Sequence, residues 1–161
     1  MSHLLAIAVG PVQEFIAAAR RTRDLWFGSY LLSEISRAVA KSVEADGGKL
    51  IFPASSTAEN VANVILAELP SGEPKDVAAK GKQAAQKRWL EFAHEAHREA
   101  SGVIRQEIWD DQVNDVIEFY AAWVQQSGNY SEDRQKLMRL LAGRKNCRDF
   151  LPAKGRAGVP K

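Results

Sequence analysis

Cysteine is almost absent from the sequence, since Cys147 is the only one among 161 residues. An internal disulfide is therefore excluded for this chain, and a reducing cytosol is the simplest compartment. No apolar stretch approaches the roughly 18 residues of a membrane span. The opening letters MSHLLAIAVG have no basic region ahead of their apolar run, so we expect no signal peptide. These absences predict a cytoplasmic protein with no membrane partner.

Several widely shared catalytic motifs are missing as well. The sequence has no G-x-x-x-x-G-K-[ST] or G-x-G-x-x-G phosphate loop, no G-x-S-x-G nucleophile turn and no pair of C-x-x-C motifs. It also lacks the aromatic strand signature of RNA-recognition modules. Short motifs therefore give no support to the familiar nucleotide-binding, hydrolase and zinc-binding classes.

Charge is nearly balanced overall, with a formal net of +2, but it is unevenly distributed. Residues 143–161 carry six basic side chains and one acidic one, and they show no helical or strand periodicity. This segment predicts a basic loop in which Arg144, Lys145 and Arg148 contact phosphate or RNA. Because the segment has no closing element, we expect the chain to be a piece of a longer protein.

Hydrophobic periodicity predicts an α+β fold. The apolar run HLLAIAVG indicates a strand buried on both faces, and the spacing after Pro11 predicts a helix with a bend around Asp24–Gly28. The remaining predicted elements are strands at KLIFP, VANVILAEL and VIEFYAAWV, a long helix from about Lys75, a break at DDQVND and a last helix capped by Ser131. This order, β-α-β-β-α-β plus an extra C-terminal helix, is ferredoxin-like, with an antiparallel sheet and helices on one face.

The turn after the first predicted strand is a candidate phosphate site. Gly10 ends the strand and Pro11 suits the first position of a helix. Backbone N–H groups at a helix N-terminus favour anions such as phosphate. The other interpretation is a tight turn that needs a residue without Cβ, and the residues alone leave both open.

A basic and aromatic cluster follows that turn. Arg20, Arg21 and Arg23 are candidate contacts to phosphates of RNA or nucleotide. The alternative is a solvated helix end with Asp24 as their partner. The neighbouring aromatic side chains either stack on bases or pack in a core or against another subunit; they are Trp26, Phe27 and Tyr30.

Histidines and acids offer two weaker candidates for a metal site. His94 and His97 are three residues apart rather than the four of H-E-x-x-H, without an evident third ligand. Surface histidines are therefore the favoured interpretation. Asp110, Asp111 and Asp115 are more typical of a solvated loop than of a cation site. We predict no metal site in this chain.

The stretch GPVQEFIAAARRTRDLWFGSYLLSEISRAVA, at 10–40, closely resembles the large subunit of Cmr-type, type III-B CRISPR effector complexes. AGRKNCRDF at 142–150 is similar to the same family, and LIFP at 50–53 falls where the family has its second strand. The resemblance covers most of the chain and is weakest across 75–110. It identifies the chain as similar to the first of that subunit's two palm domains.

The resemblance implies a fold and a role. Residues 1–142 would form the ferredoxin-like first palm domain, and 143–161 a basic loop leading to the remainder of the subunit. In the family the second palm domain carries a Gly-Gly-Asp-Asp turn, binds metal and makes cyclic oligoadenylates from ATP. The first palm contributes one side of the composite ATP site, here through residues matching the motif: Gly10, Pro11, Val12, Gln13 and Ser29. The arginines of the basic cluster would line the groove between the palms.

Two departures from the family bear on catalysis. There is no Gly-Gly-Asp-Asp, because DGGK at 46–49 has its acid on the wrong side of the glycines, and no His-Asp doublet of an HD nuclease domain is present. We therefore expect no catalytic activity and no bound Mg²⁺ in this chain, with ATP shared with the second palm domain. The implied partners are that domain, the other subunits of the complex, and crRNA and target RNA through the complex. The alternative is a purely architectural domain that contacts subunits or crRNA.

Overall fold

The computed structural model describes residues 1–147. Its regular elements are the strands β1 (His3–Gly10), β2 (Lys49–Phe52), β3 (Val64–Leu69) and β4 (Glu118–Gln125), and the helices α1 (Gln13–Ala18), α2 (Thr22–Ala45), α3 (Pro74–Ala100), α4 (Gln106–Gln112) and α5 (Tyr130–Asn146). The strands form one antiparallel sheet in the order β2-β3-β1-β4. The predicted α+β class is thereby confirmed.

Strand β1 is the centre of the sheet and is buried on both faces, as its continuous apolar run predicts. Because side chains alternate along a strand, Leu5 and Ile7 join the core formed with α2 and α3, while Leu4 joins a second core. That second core includes Leu137 and Leu141 of α5. The helices therefore cover both faces of the sheet, which differs from the expectation of helices on one face.

The break in the first helical region lies earlier than the sequence indicates. The chain leaves helix between Ala19 and Arg21 instead of bending around Asp24–Gly28. The reason is that Asp24 marks a helix start: its Oδ2 accepts the backbone N–H groups of Arg20 at 3.2 Å and Arg21 at 3.0 Å. A carboxylate in the first turn satisfies donors that have no partner inside the helix.

Two other element boundaries in the structure also differ from the predicted ones. The predicted break at DDQVND is instead the end of α4 and a single 3₁₀ turn, Val113–Asp115. Helix α5 is capped by Asn129, whose side chain accepts from the Glu132 N–H at 3.4 Å, rather than by Ser131. Its last turn runs four residues into the segment predicted as a basic loop, 143–161.

Within residues 1–147, no helix combines the length and apolarity needed to cross a membrane.

Polar contacts centred on Glu34 hold α2 against α3. The Glu34 carboxylate, with 13% of its side chain exposed, pairs with Arg37 and, at 2.8 Å, with Arg88 of α3. Arg37 also donates to the backbone carbonyls of Ala58 at 2.8 Å and Glu59 at 2.7 Å. These contacts tie α2 to the loop between β2 and β3 as well as to α3.

Candidate functional site

A cleft of about 290 Å³ lies where β1 ends and the chain turns toward α1. Four parts of the chain form its walls: the β1–α1 turn, the residue before β3, the start of β4 and the end of α5. The lining residues are Val9, Gly10, Val12, Gln13, Glu14, Asn63, Glu118, Tyr120, Lys145 and Asn146.

Strand pairing fixes the geometry of this cleft. Gly10 lies opposite Glu118 in the register of β1 with β4. A Cβ added at Gly10 would lie 3.1 Å from Glu118 Oε2 and 3.2 Å from Glu118 Cβ, so a side chain at this position would require Glu118 to move by a few tenths of an ångström. On the other side, Val9 N–H donates to the Asn63 carbonyl at 2.8 Å, and Asn63 Nδ2 donates to the Val9 carbonyl at 3.4 Å.

The structure brings together some of the residues that the sequence singles out. Gly10, Val12 and Gln13 meet Lys145 in the cleft, although Lys145 was assigned to a separate basic loop. Helix α1 starts at Gln13 and has only six residues, so Pro11 precedes the helix instead of opening it. A helix this short adds little dipole to the turn.

Other predicted site residues lie elsewhere. Pro11 is buried and Ser29 is exposed on α2, and neither lines the cleft. Exposed arginines also lie outside the set of lining residues: Arg20, Arg21, Arg23 and Arg144. Arg148 lies outside the described residues. The cleft also gains residues that sequence reasoning missed, and the pairing of Gly10 with Glu118 could not be found without the sheet register.

The charge of the cleft is mixed. Glu14 and Glu118 contribute two carboxylates, and Lys145 contributes one ammonium group. The amides of Gln13 and Asn63 add neutral donors and acceptors. Between residues 1 and 147, no group of three or more His, Cys, Asp or Glu side chains is arranged to hold a metal ion. The cleft can therefore form hydrogen bonds to a polar ligand, and Lys145 is the cation among the lining residues described within 1–147.

Comparison with known proteins gives one family match, which covers the N-terminal part of the chain. A family model described as CRISPR-associated protein Cmr2, N-terminal, matches residues 4–61. The predicted resemblance to the Cmr-type large subunit is confirmed. No curated protein matches the chain.

The Cmr2-like segment, residues 4–61, contains the β1–α1 turn and all of α2. It includes Gly10, Val12 and Gln13 of the cleft. Glu118 and Lys145 lie beyond the match, on β4 and α5. The cleft is thus built from both matched and unmatched parts of the chain.

A second feature is an aromatic patch, which we define as the exposed Trp26, Phe27 and Tyr30 of α2, within the Cmr2-like segment, with the half-buried Phe92 of α3, outside it. Trp26 is 68% exposed and Phe27 is 49% exposed. Trp26 stacks on Tyr30 with ring centroids 5.8 Å apart and planes 5° apart. Tyr30 meets the Phe92 ring edge-on at 6.1 Å. Side chains of this size are usually covered by other parts of a protein.

The weaker metal candidates have other contacts. His97 Nε2 lies 3.0 Å from Gln106 Oε1, and Gln106 Nε2 donates to Asp110 Oδ1 at 2.8 Å. The His97 ring also packs on Trp109, with centroids 4.7 Å apart. His94 is exposed on α3. These contacts link α3 to α4 and are structural.

Proposed function

We propose that the chain is the non-catalytic first palm domain of the large subunit of a type III-B CRISPR effector complex. In this proposal it provides one wall of an ATP site that it shares with a second palm domain. The observation that supports this most strongly is the cleft at the end of β1. There Gly10, Val12 and Gln13 of the matched segment meet Lys145 of α5.

The topology supports the ferredoxin-like part of the proposal. Leaving aside α4 and the 3₁₀ turn, and taking α1 with α2 as one helical layer, the elements run β-α-β-β-α-β, with α5 as the extra helix. The central position of β1 brings its C-terminal end between β3 and β4. A turn in that position can be lined from both neighbouring strands, as Asn63 and Glu118 line it here.

The size and charge of the cleft suit part of a nucleotide rather than the whole. Its volume of about 290 Å³ is at the lower end of the roughly 300–1,000 Å³ of small-molecule sites. Lys145 can pair with a phosphate, but Glu14 and Glu118 would repel the rest of a triphosphate. We infer that groups other than the described lining residues hold the remaining phosphates, as a composite site would require.

Within that site, this chain's residues would bind and orient ATP. Lys145 would hold a phosphate oxygen, and the amides of Gln13 and Asn63 would hydrogen-bond to base or ribose. ATP supplies the adenylyl group for cyclic oligoadenylate formation, in which a ribose hydroxyl attacks the α-phosphorus and pyrophosphate leaves, and we assign this reaction to the second palm domain. We further propose that the complex works in the cytoplasm with its other subunits, crRNA and target RNA.

The proposal is tested by ATP affinity of the intact large subunit. Lys145→Ala should weaken binding of ATP by about ten- to a hundredfold, because a hydrogen bond to a charged group contributes about 1.5–3 kcal/mol. Gln13→Ala should weaken it less. The matched control is Lys136→Ala, which removes an exposed lysine from the same helix, outside the cleft. Isothermal titration calorimetry measures all four proteins.

Equal ATP affinity in the wild type, Lys145→Ala and Gln13→Ala proteins would contradict the nucleotide role. Gly10→Ala is a poor test, because its Cβ would displace Glu118 and could alter folding as well as binding. Formation of cyclic oligoadenylate by purified 1–161 alone would contradict the non-catalytic assignment.

A second candidate function is a purely architectural domain, and the exposed aromatic patch favours it. In that case α2 contacts a neighbouring subunit or crRNA and nucleotide has no role. The phosphate or RNA contacts predicted for Arg20, Arg21 and Arg23 belong with this candidate, because these arginines do not line the cleft. The calorimetric test separates the two candidates.

A further inference from the structure

The aromatic patch and part of the basic cluster share one side of α2. Arg23, Trp26, Phe27 and Tyr30 follow the spacing i, i+3, i+4, i+7 that places side chains on one helix face. All four are exposed. Phe92 extends this face onto α3 through its contact with Tyr30. The surface therefore spans two helices that Glu34 and Arg88 hold together.

The rings of the patch pack against one another, and Tyr30 contacts the other three, while Trp26 and Phe27 keep exposed surface. Tyr30 stacks on Trp26 and lies 6.3 Å from Phe27 at 29°. The Arg88 guanidinium lies 4.2 Å over the Phe92 ring. Nucleobases bind such residues by stacking on free ring faces. A cluster in which aromatic rings already pack on one another and leave apolar carbon exposed also suits the apolar side chains of a protein.

The charges around the patch have opposite signs on opposite sides. At the start of α2, Arg20, Arg21 and Arg23 are exposed, and Asp24 accepts two backbone N–H groups with Oδ2 and lies 3.7 Å from Arg23 Nε with Oδ1. On α3, Glu91 beside Phe92 is paired with Arg88 at 2.8 Å, and exposed Glu95 lies one turn beyond Phe92. A nucleic-acid backbone crossing the patch would be attracted at one border and repelled at the other.

We propose that the aromatic patch is the docking site for a neighbouring protein subunit. That partner would present an apolar recess for Trp26 and Phe27, carboxylates opposite Arg20, Arg21 and Arg23, and a basic side chain opposite Glu95. Trp, Tyr and Arg are the residue types that dominate binding energy at protein interfaces. The inference rests on the family placement in a multi-subunit complex, but not on the ATP site.

The test uses the intact large subunit, co-expressed with the other subunits of its effector complex. Phe27→Ser and Phe52→Ser form a matched pair, since these phenylalanines are 49% and 51% exposed and only Phe27 belongs to the patch. We expect Phe27→Ser and Trp26→Ser to weaken assembly by at least about tenfold, as for residues at the centre of an interface. Phe52→Ser should leave assembly unchanged. Native mass spectrometry measures the assembled fraction.

A second variant tests the border charges. Replacing Arg20, Arg21 and Arg23 together by Glu should also weaken assembly, and more strongly at low salt than at high salt. Thermal unfolding of each variant shows whether it is folded. ATP affinity is measured on the same proteins, so a patch variant that assembles poorly but binds ATP normally leaves the nucleotide proposal intact.

Three results would overturn the inference. The first is unchanged assembly in the Trp26, Phe27 and arginine variants. The second is normal assembly combined with lost binding of a short single-stranded oligouridine, which would assign the patch to nucleic acid. The third is loss of self-association alone, seen by analytical ultracentrifugation, which would assign it to a second copy of this chain.

Discussion

The two halves of helix α2 differ in the solvent exposure of their large apolar residues. In residues 22–30, Trp26, Phe27 and Tyr30 are exposed, whereas in residues 31–45 Ile35, Val39 and Val43 are fully buried. The core beneath the sheet takes its α2 members only from Ile35 onward. One continuous helix thus supplies a folding surface at one end and an uncovered surface at the other.

This difference shows where stability and binding are separated in the molecule. Burial of apolar area stabilises the fold in the second half of α2. In the first half, comparable side chains contribute little of that kind because solvent still reaches them. Large exposed apolar patches in otherwise ordinary proteins mark interaction sites. The comparison therefore predicts that substitutions in the two halves have different primary effects, one on unfolding and the other on assembly.

The largest expected effect is in the buried half. Ile35→Ala should lower the free energy of unfolding by about 2–5 kcal/mol, because it leaves a cavity in a packed core. Trp26→Ala should lower it by about 1 kcal/mol or less, since it loses mainly the stacking on Tyr30. Urea unfolding of chain 1–161 measures both.

If Ile35→Ala and Trp26→Ala lower the free energy of unfolding by similar amounts, the proposed difference between the two halves of α2 is wrong. That result would mean that the exposed half of α2 is needed for folding, and the patch could then no longer be assigned chiefly to binding. The slope of unfolding free energy against urea should be the same in both variants, which makes the two values comparable.

Glu34 lies at the boundary between the halves and gives the next effect. Glu34→Gln should lower the free energy of unfolding by about 1–3 kcal/mol, because Arg37 and Arg88 lose a partly buried charged acceptor. The control is Glu91→Gln, which removes only the exposed pair with Arg88 and should cost about 0.5 kcal/mol or less. Thermal unfolding monitored by circular dichroism provides the comparison. If Glu91→Gln lowers stability more than Glu34→Gln does, the contacts of Glu34 are not the main polar link between α2 and α3.

Much of the fold could be predicted from the sequence because local patterns determine it. HLLAIAVG has a single plausible use as a buried strand, and it forms β1 with the predicted bounds. The long helix from about Lys75 begins at Pro74, since its apolar stripe spans many turns. The face of the sheet that α5 covers was not predictable, because an amphipathic helix indicates that it packs but not against which side.

The candidate site was predictable only from one wall. The β1–α1 turn carried a recognisable motif and does line the cleft. Glu118 is separated from Gly10 by most of the chain, and only the β1–β4 register makes them neighbours. At Asp24 a local pattern gives the wrong element. The sequence predicts a bend near Asp24, whereas the structure has a helix start there, and a polar residue marks both. Likewise, the exposure of Trp26 depends on which elements cover α2, and no local pattern carries that information.

The smallest expected effect is at the other end of α2, where Asp46 follows the last helical turn. Lys80 Nζ of α3 lies 2.5 Å from Asp46 Oδ1. The hydrogen bond to Asp46, and then its charge, raises the pKa of Lys80 above the ordinary value of 10.5. Because the pKa is higher in the folded chain, this contact stabilises the fold below pH 10.5 and stops doing so as pH rises through the raised pKa. Lys80 is solvent-exposed, so the contribution is small and screened by salt.

We expect Lys80→Gln to lower the melting temperature slightly at neutral pH and low salt, and to match the wild type in strong alkali. Lys82→Gln, which alters another exposed lysine of α3, should behave like the wild type throughout. A Lys80→Gln deficit that persists in strong alkali would mean that packing, rather than charge, links this end of α2 to α3.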